Sequence, residues 1–152
     1  MILSGPTIKR LGIIEPHYPK TRLNGVSYGE SGAGYDIRTA DTINLVTGKT
    51  RLAVTVEKFR LPNNVLGIVH DKSTWARLGI QVQNTVLEPG WFGYLTLELS
   101  YASINGVADF YTIPANTGIA QVVFHFTDAP TTPYEGKYQD QAARPVGAIM
   151  DT

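Results

Sequence analysis

Apolar and polar positions alternate with a period of two through much of the chain. Leu52, Val54 and Val56 alternate with Ala53, Thr55 and Glu57, and Leu95 and Leu97 alternate with Thr96 and Glu98. That period places alternate side chains on opposite faces of a strand. From residue 42 onward the pattern predicts strands over 42–46, 51–59, 65–69, 81–86, 94–100, 107–113 and 119–126, separated by Gly- and Pro-bearing turns. Helix is expected in two short places. Ser4 is placed to cap a helical turn with Pro6 near its start and Gly12 at its end, after which IIEP (13–16) returns to extended structure. Ser73 is placed to cap a second turn over 73–78. Beyond residue 126 the apolar period stops and Pro, Gly, Gln and Ala take over, so 1–126 reads as one all-β domain and 127–152 as its mobile tail or lid.

Composition narrows the function classes. A chain of 152 residues with 43% hydrophobic and 17% charged positions is sized for one core and has no apolar run long enough to span a membrane. The 13 Lys and Arg balance the 13 Asp and Glu, so no global basic field favours a nucleic-acid backbone, and no nucleic-acid or membrane partner is expected. With no cysteine there is no disulfide, no thiolate nucleophile and none of the ligands that zinc-dependent base deaminases use, so neither zinc nor a protein-held metal is expected. The N-terminal segment lacks the apolar stretch of a secretory signal, which fits a cytoplasmic location.

Several motif fragments fail on spacing. Gly48-Lys49-Thr50 resembles the end of a phosphate-binding loop, but Ile43 stands where its first glycine belongs. Gly32-Ala33-Gly34 has Ile37 where a dinucleotide fingerprint needs its third glycine, and reads better as a turn that requires small residues. His17, His70 and His125 have no metal-ligand spacing.

Four segments match in order and together: MILSGPTIKR with IIEP at the start, GAGYDIR at 32–38, DKSTWARLGI at 71–80 and LEPGWFGYLTLELS at 87–100. LAVTVEKFRLP (52–62), GIAQVVF (118–124) and GKYQDQ (136–141) complete the set, which spans nearly the whole chain. The chain resembles the dCTP deaminase and dUTPase superfamily. Its tail, GKYQDQAARPVGA, is similar to the deaminase lid, and no Arg- and Gly-rich phosphate-gripping terminus with a stacking Phe is present as in dUTPases. The chain departs from the deaminase pattern at Lys72 (usually Arg), Thr74 (usually Ser) and Glu88 (usually Asp), and its 77–88 hairpin is about two residues short.

The resemblance implies a distorted jelly-roll-like β barrel of the dUTPase type, assembled as a homotrimer with active sites shared between subunits. It implies that Glu98 acts as general base and then general acid in deamination at C4 of cytosine, with Ser73 helping to hold the water and Arg77 orienting the carboxylate. On pattern alone, Glu98 is a solvent-facing strand residue, Ser73 a helix cap and Arg77 a surface charge. Lys72, Ser73 and Thr74, at a helix start, are candidates for a phosphate. Trp91 is a candidate for stacking on deoxyribose or for the core. Glu88, Gln121, Lys137, Tyr138 and Gln141 complete the implied substrate contacts, with Mg²⁺ arriving on the deoxynucleoside triphosphate. The implied reaction is dCTP to dUTP and ammonia. A dUTPase using Asp36 and Glu88, an enzyme with both activities, and a nucleotide-binding trimer without chemistry are the alternatives.

Overall fold

The computed structural model describes residues 1–106 and 108–152. Ser4 does cap the first helix: α1 (Gly5–Arg10) follows it, and the Ser4 hydroxyl accepts from the Thr7 amide at the end where helical donors lack partners. Four strands follow that the alternation pattern does not mark: β1 (Ile14–Glu15), β2 (Thr21–Leu23), β3 (Val26–Ser31) and β4 (Gly34–Arg38). The Gly32-Ala33-Gly34 segment is the turn expected, joining β3 to β4; a side chain at Gly34, whose φ is +122°, would strike the Val122 carbonyl oxygen on the neighbouring strand.

The expected strands then appear as β5 (Ile43–Val46), β6 (Thr50–Arg60) and β7 (Val65–Asp71), with helix α2 (Ser73–Ala76) after them. Ser73 is not the cap of α2. Lys72 occupies that position, and no side chain bonds to the helix start. The segment expected as one strand over 81–86 is two, β8 (Ile80–Val82) and β9 (Val86–Leu87), because β8 pairs with β10 (Phe92–Tyr101) and β9 pairs with β7 in a different sheet. β11 (Phe110–Ile113) and β12 (Gly118–Phe126) complete the set. Val107, at the start of the 107–113 expectation, lies outside the described residues.

The strands form a four-stranded sheet in the order β1-β6-β10-β8, a six-stranded sheet in the order β2-β3-β4-β12-β7-β9, and a β5-β11 pair. The sheets curl into a jelly-roll-like barrel around one apolar core, to which Ile37 of β4, Phe59 of β6, Leu97 and Leu99 of β10 and Phe124 of β12 contribute nearly inaccessible side chains. Burial of this apolar surface is the main stabilising term. No helix among the described residues is long and apolar enough to cross a membrane.

Candidate active site

β10 crosses the middle of its sheet and carries Glu98. The strand's backbone is held on both sides at this point: Glu98 is in register with Leu52 of β6, and its carbonyl accepts from the Gln83 amide at 2.9 Å. Along the 92–94 stretch, β8 no longer covers the edge of β10, and the tail takes its place. The Asp140 amide donates to the Phe92 carbonyl, the Tyr94 amide donates to the Gln141 carbonyl, both at 3.0 Å, and Gly93 and Gln141 form a parallel bridge. Gly93 permits this approach, since at its φ of +137° an added Cβ would lie 2.5 Å from the Gln141 amide nitrogen.

Side chains fasten the tail further. The Gln139 amide oxygen accepts from the Phe92 amide at 2.9 Å, while its nitrogen donates to the carbonyls of Gly90 (3.0 Å) and Tyr134 (2.7 Å). The Trp91 indole donates to the Tyr138 carbonyl at 2.7 Å, and the Val146 amide donates to the Thr96 hydroxyl at 3.0 Å. The segment 127–152 is therefore docked without forming a regular element of its own.

The docked tail forms one wall of a cavity of about 320 Å³ between β10, the β8–β9–β10 turn region and residues 134–148. Leu52, Leu87, Leu95, Trp91 and Val146 make it largely apolar. Among the described residues, four buried side-chain polar atoms have no hydrogen-bond partner, and three of them belong to this cavity's lining: Thr85 Oγ1, Glu98 Oε2 and Gln141 Oε1. The fourth, His17 Nδ1, lies elsewhere, on a ring whose other nitrogen is 2.9 Å from Glu30. Unpaired buried polar atoms are scarce because each forfeits its hydration without return. Three gathered in one cavity make it the candidate site for a polar ligand. Burial pushes the Glu98 carboxyl above its usual range, so it holds a proton more readily than a solvated glutamate.

Of the residues singled out in the sequence, Glu98, Glu88, Trp91, Tyr138 and Gln141 line the cavity. Trp91 is a core aromatic that also forms part of the cavity wall: it is 5% exposed and tilted against Phe59 at 5.9 Å between ring centres. The other six are not brought there within one chain. Ser73, Thr74 and Arg77 are exposed on and just after α2. Lys72 makes an ion pair with Asp36 and lies 3.4 Å from the Ser27 hydroxyl. Gln121 donates to Ser31 in the six-stranded sheet, and Lys137 pairs at 3.1 Å with Asp151. Arg77 accordingly has no contact with Glu98 inside the chain, where the expected pairing would have occupied the orphaned oxygen. Thr85 and Gln139 are additions that the sequence does not announce. Thr85 carries no motif signal, whereas Gln139 stands inside GKYQDQ, where its role depends on which backbone groups the tail meets.

Comparison with known proteins places the chain in a family and a fold. The family model described as dCTP deaminase-like matches residues 7–127. A dCTP deaminase of Roseiflexus castenholzii is 38% identical over 88% of this chain and 89% of its own length. Among solved structures, the 2'-deoxycytidine 5'-triphosphate deaminase of Agrobacterium tumefaciens superposes with a TM-score of 0.65 at 16% identity, covering 82% of this chain and 47% of that one. The native EIAV dUTPase superposes with a TM-score of 0.59 at 15% identity, covering 84% and 98%. These two likenesses establish the dUTPase-type fold, and the sequence match establishes the lineage: the chain belongs to the dCTP deaminase-like family.

Proposed function

We propose that this protein is a dCTP deaminase, an enzyme that hydrolyses the exocyclic C–N bond of dCTP to give dUTP and ammonia and so supplies deoxyuridine nucleotides. The observation that carries the reading is the Glu98 carboxyl, with one oxygen buried and unpartnered in a largely apolar cavity that the tail helps to wall. Deamination at C4 needs a group that accepts a proton from the attacking water and returns it to the departing amine. A carboxyl lifted toward neutrality by burial suits both steps. Water adds to C4 across the C4–N3 double bond as its proton passes to Glu98, and the proton is delivered to the amino nitrogen. The exocyclic C–N bond then breaks with its electron pair leaving on ammonia as the C4–N3 double bond re-forms, and the remaining hydroxyl proton moves to N3 to give the uracil.

Gln141 presents an amide to the cavity, a group with donors and an acceptor on one plane that complements the edge of a base. Trp91 supplies an aromatic wall suited to the deoxyribose. Ser73, Thr74 and Arg77 are free of this cavity in their own chain, and we assign them to the site of a neighbouring protomer in a homotrimer. There Arg77 would meet the orphaned carboxylate, the Ser73 hydroxyl would reach the water, and Thr74 with the start of α2 would face phosphate. Lys137, next to the lining residue Tyr138, would close on the triphosphate with the docked segment 127–152 as lid. Lys72 and Gln121 are engaged elsewhere in the chain and contribute to the triphosphate site only if those bonds exchange.

No group of three or more His, Cys, Asp or Glu side chains among the described residues is arranged to hold a metal. Mg²⁺ enters with the triphosphate of the substrate, as MgdCTP. We place the activity in the cytoplasm, where such nucleotides are available. The dUTPase likeness supports one second reading, further hydrolysis of the product to dUMP and diphosphate. Incubation with dCTP and with dUTP separately, recording ammonia and diphosphate, tests both. Ammonia from dCTP is expected. Diphosphate from both nucleotides identifies the two-step enzyme, diphosphate from dUTP alone a dUTPase, and neither product a trimer that only binds nucleotide.

A further inference from the structure

Thr85 lies in the link between β8 and β9, where its carbonyl accepts from the Val69 amide at 3.0 Å and fixes the backbone. Its side chain belongs to the wall of the cavity that holds Glu98, and its hydroxyl oxygen is buried without a partner. The other hydroxyls of that wall are committed. Thr96 accepts from the Val146 amide, the Tyr138 hydroxyl accepts from the Ile149 amide at 3.0 Å, and the Tyr134 hydroxyl accepts from the Tyr138 amide at 3.2 Å. Thr85 is thus the one hydroxyl among the described lining residues that makes no hydrogen bond, and it shares a largely apolar cavity with the Glu98 carboxyl.

A water about to attack carbon is best held with both hydrogens given to acceptors, so that a lone pair is left aimed at the electrophile. Glu98 takes one hydrogen. A second acceptor in the same cavity must take the other, and the Gln141 amide, planar and two-sided, is better matched to the base. We propose that Thr85 Oγ1 is that second acceptor, and that Thr85 anchors the nucleophilic water of deamination beside Glu98. A β-branched side chain suits this role, because its methyl packs on the apolar wall while its χ1 has few alternatives, so the oxygen is held in place before substrate arrives. The hydroxyl is unchanged by the reaction; it accepts a hydrogen bond from the water, whose proton goes to Glu98 and then to the leaving ammonia. A hydroxyl from Ser73 of a neighbouring protomer would donate to the same water's remaining lone pair, so the two roles are compatible. The inference rests on the deaminase reading above.

The test uses the full chain with Thr85→Val, which keeps the shape and removes the acceptor, and Thr85→Ser, which keeps the acceptor. Steady-state ammonia release from MgdCTP should fall about 10- to 100-fold in kcat for Thr85→Val, with KM within about twofold, and Thr85→Ser should recover most of it. In a Glu98→Gln background, Thr85→Val should have little further effect, as for groups that act as a unit. Unchanged kcat in Thr85→Val, or a rise in KM with kcat intact, overturns the inference while the deaminase reading stands. A wild type that releases no ammonia from dCTP overturns both. Because Thr85→Val is near-isosteric, loss of activity without recovery in Thr85→Ser, accompanied by weakened nucleotide binding, identifies a packing role and also overturns it.

Discussion

The barrel buries polar side chains in two regions and treats them in opposite ways. Behind β4, Arg38 and Glu57 meet through two hydrogen bonds, at 2.9 Å from the Arg38 amide and 2.8 Å from Nε, with the guanidinium 4.5 Å from the centre of the Tyr28 ring. On the same strand, Asp36 joins Lys72 and Ser27 in a second satisfied group. Beneath the tail, by contrast, Thr85, Glu98 and Gln141 each keep a buried atom without a partner. Both regions carry carboxylates in an apolar setting, and only one is closed on itself. Burial of a charge alone therefore does not mark the candidate site here, whereas the unsatisfied bond does: the paired set is complete within the chain, and the unpaired set is the one that the proposed function completes with substrate and a neighbouring protomer.

The largest effect should come from breaking the closed region. Arg38→Met leaves the Glu57 carboxylate, which is inaccessible to solvent, without its guanidinium. A loss of about 3–5 kcal/mol in unfolding free energy is expected by denaturant titration. A loss below about 1 kcal/mol would show that the pair is dispensable.

Next is removal of residues 136–152, which opens the cavity and takes away Gln141. Deamination should fall by at least about 10²-fold, a barrier increase of roughly 3 kcal/mol or more, while melting shifts by only a few degrees, since the apolar core lies within residues 1–126. Collapse of the fold would make the tail structural.

The smallest effects concern the open region's own stability. A carboxyl whose pKa is raised in the folded state binds its proton more tightly there than in the unfolded chain. Its contribution is therefore fully present at low pH and is lost as pH rises through the raised value. In an Arg77→Met background, where burial acts on the carboxyl alone, Glu98→Gln should consequently melt up to a few degrees above its parent at pH 8 and lose that advantage in acid. Equal melting at both pH values would mean that the carboxyl carries no such strain.

Much of this is readable in the residues, for physical reasons that also explain what is not. The strands from β5 onward carry period-two alternation and are found within a few residues of their expected limits. β3 and β4 escape the pattern: Gly25, Gly29, Gly32 and Gly34 interrupt the stretch, and all five residues of β4 are buried, so no polar face alternates with an apolar one. The 81–86 stretch reads as one strand because hydrophobicity does not record the point at which a chain leaves one sheet for another. In the site, Glu98, Trp91 and Gln141 are legible through their motifs. Thr85 is not, because a threonine in a link has no period or spacing, and its importance lies in a hydrogen bond that is missing. Ser73 and Arg77 stand apart from the cavity within the chain, since motif order along a chain does not record which of its residues share one pocket.

Whether Glu98 carries the proton is decided by single-turnover ammonia release from MgdCTP in Glu98→Gln, set beside that variant's affinity for the same nucleotide. Release should drop by about 10²- to 10⁴-fold with binding within a few-fold of wild type, as expected when a positioned proton carrier is removed. Ammonia released at the wild-type rate would show that the carboxyl beneath the tail is not the proton carrier.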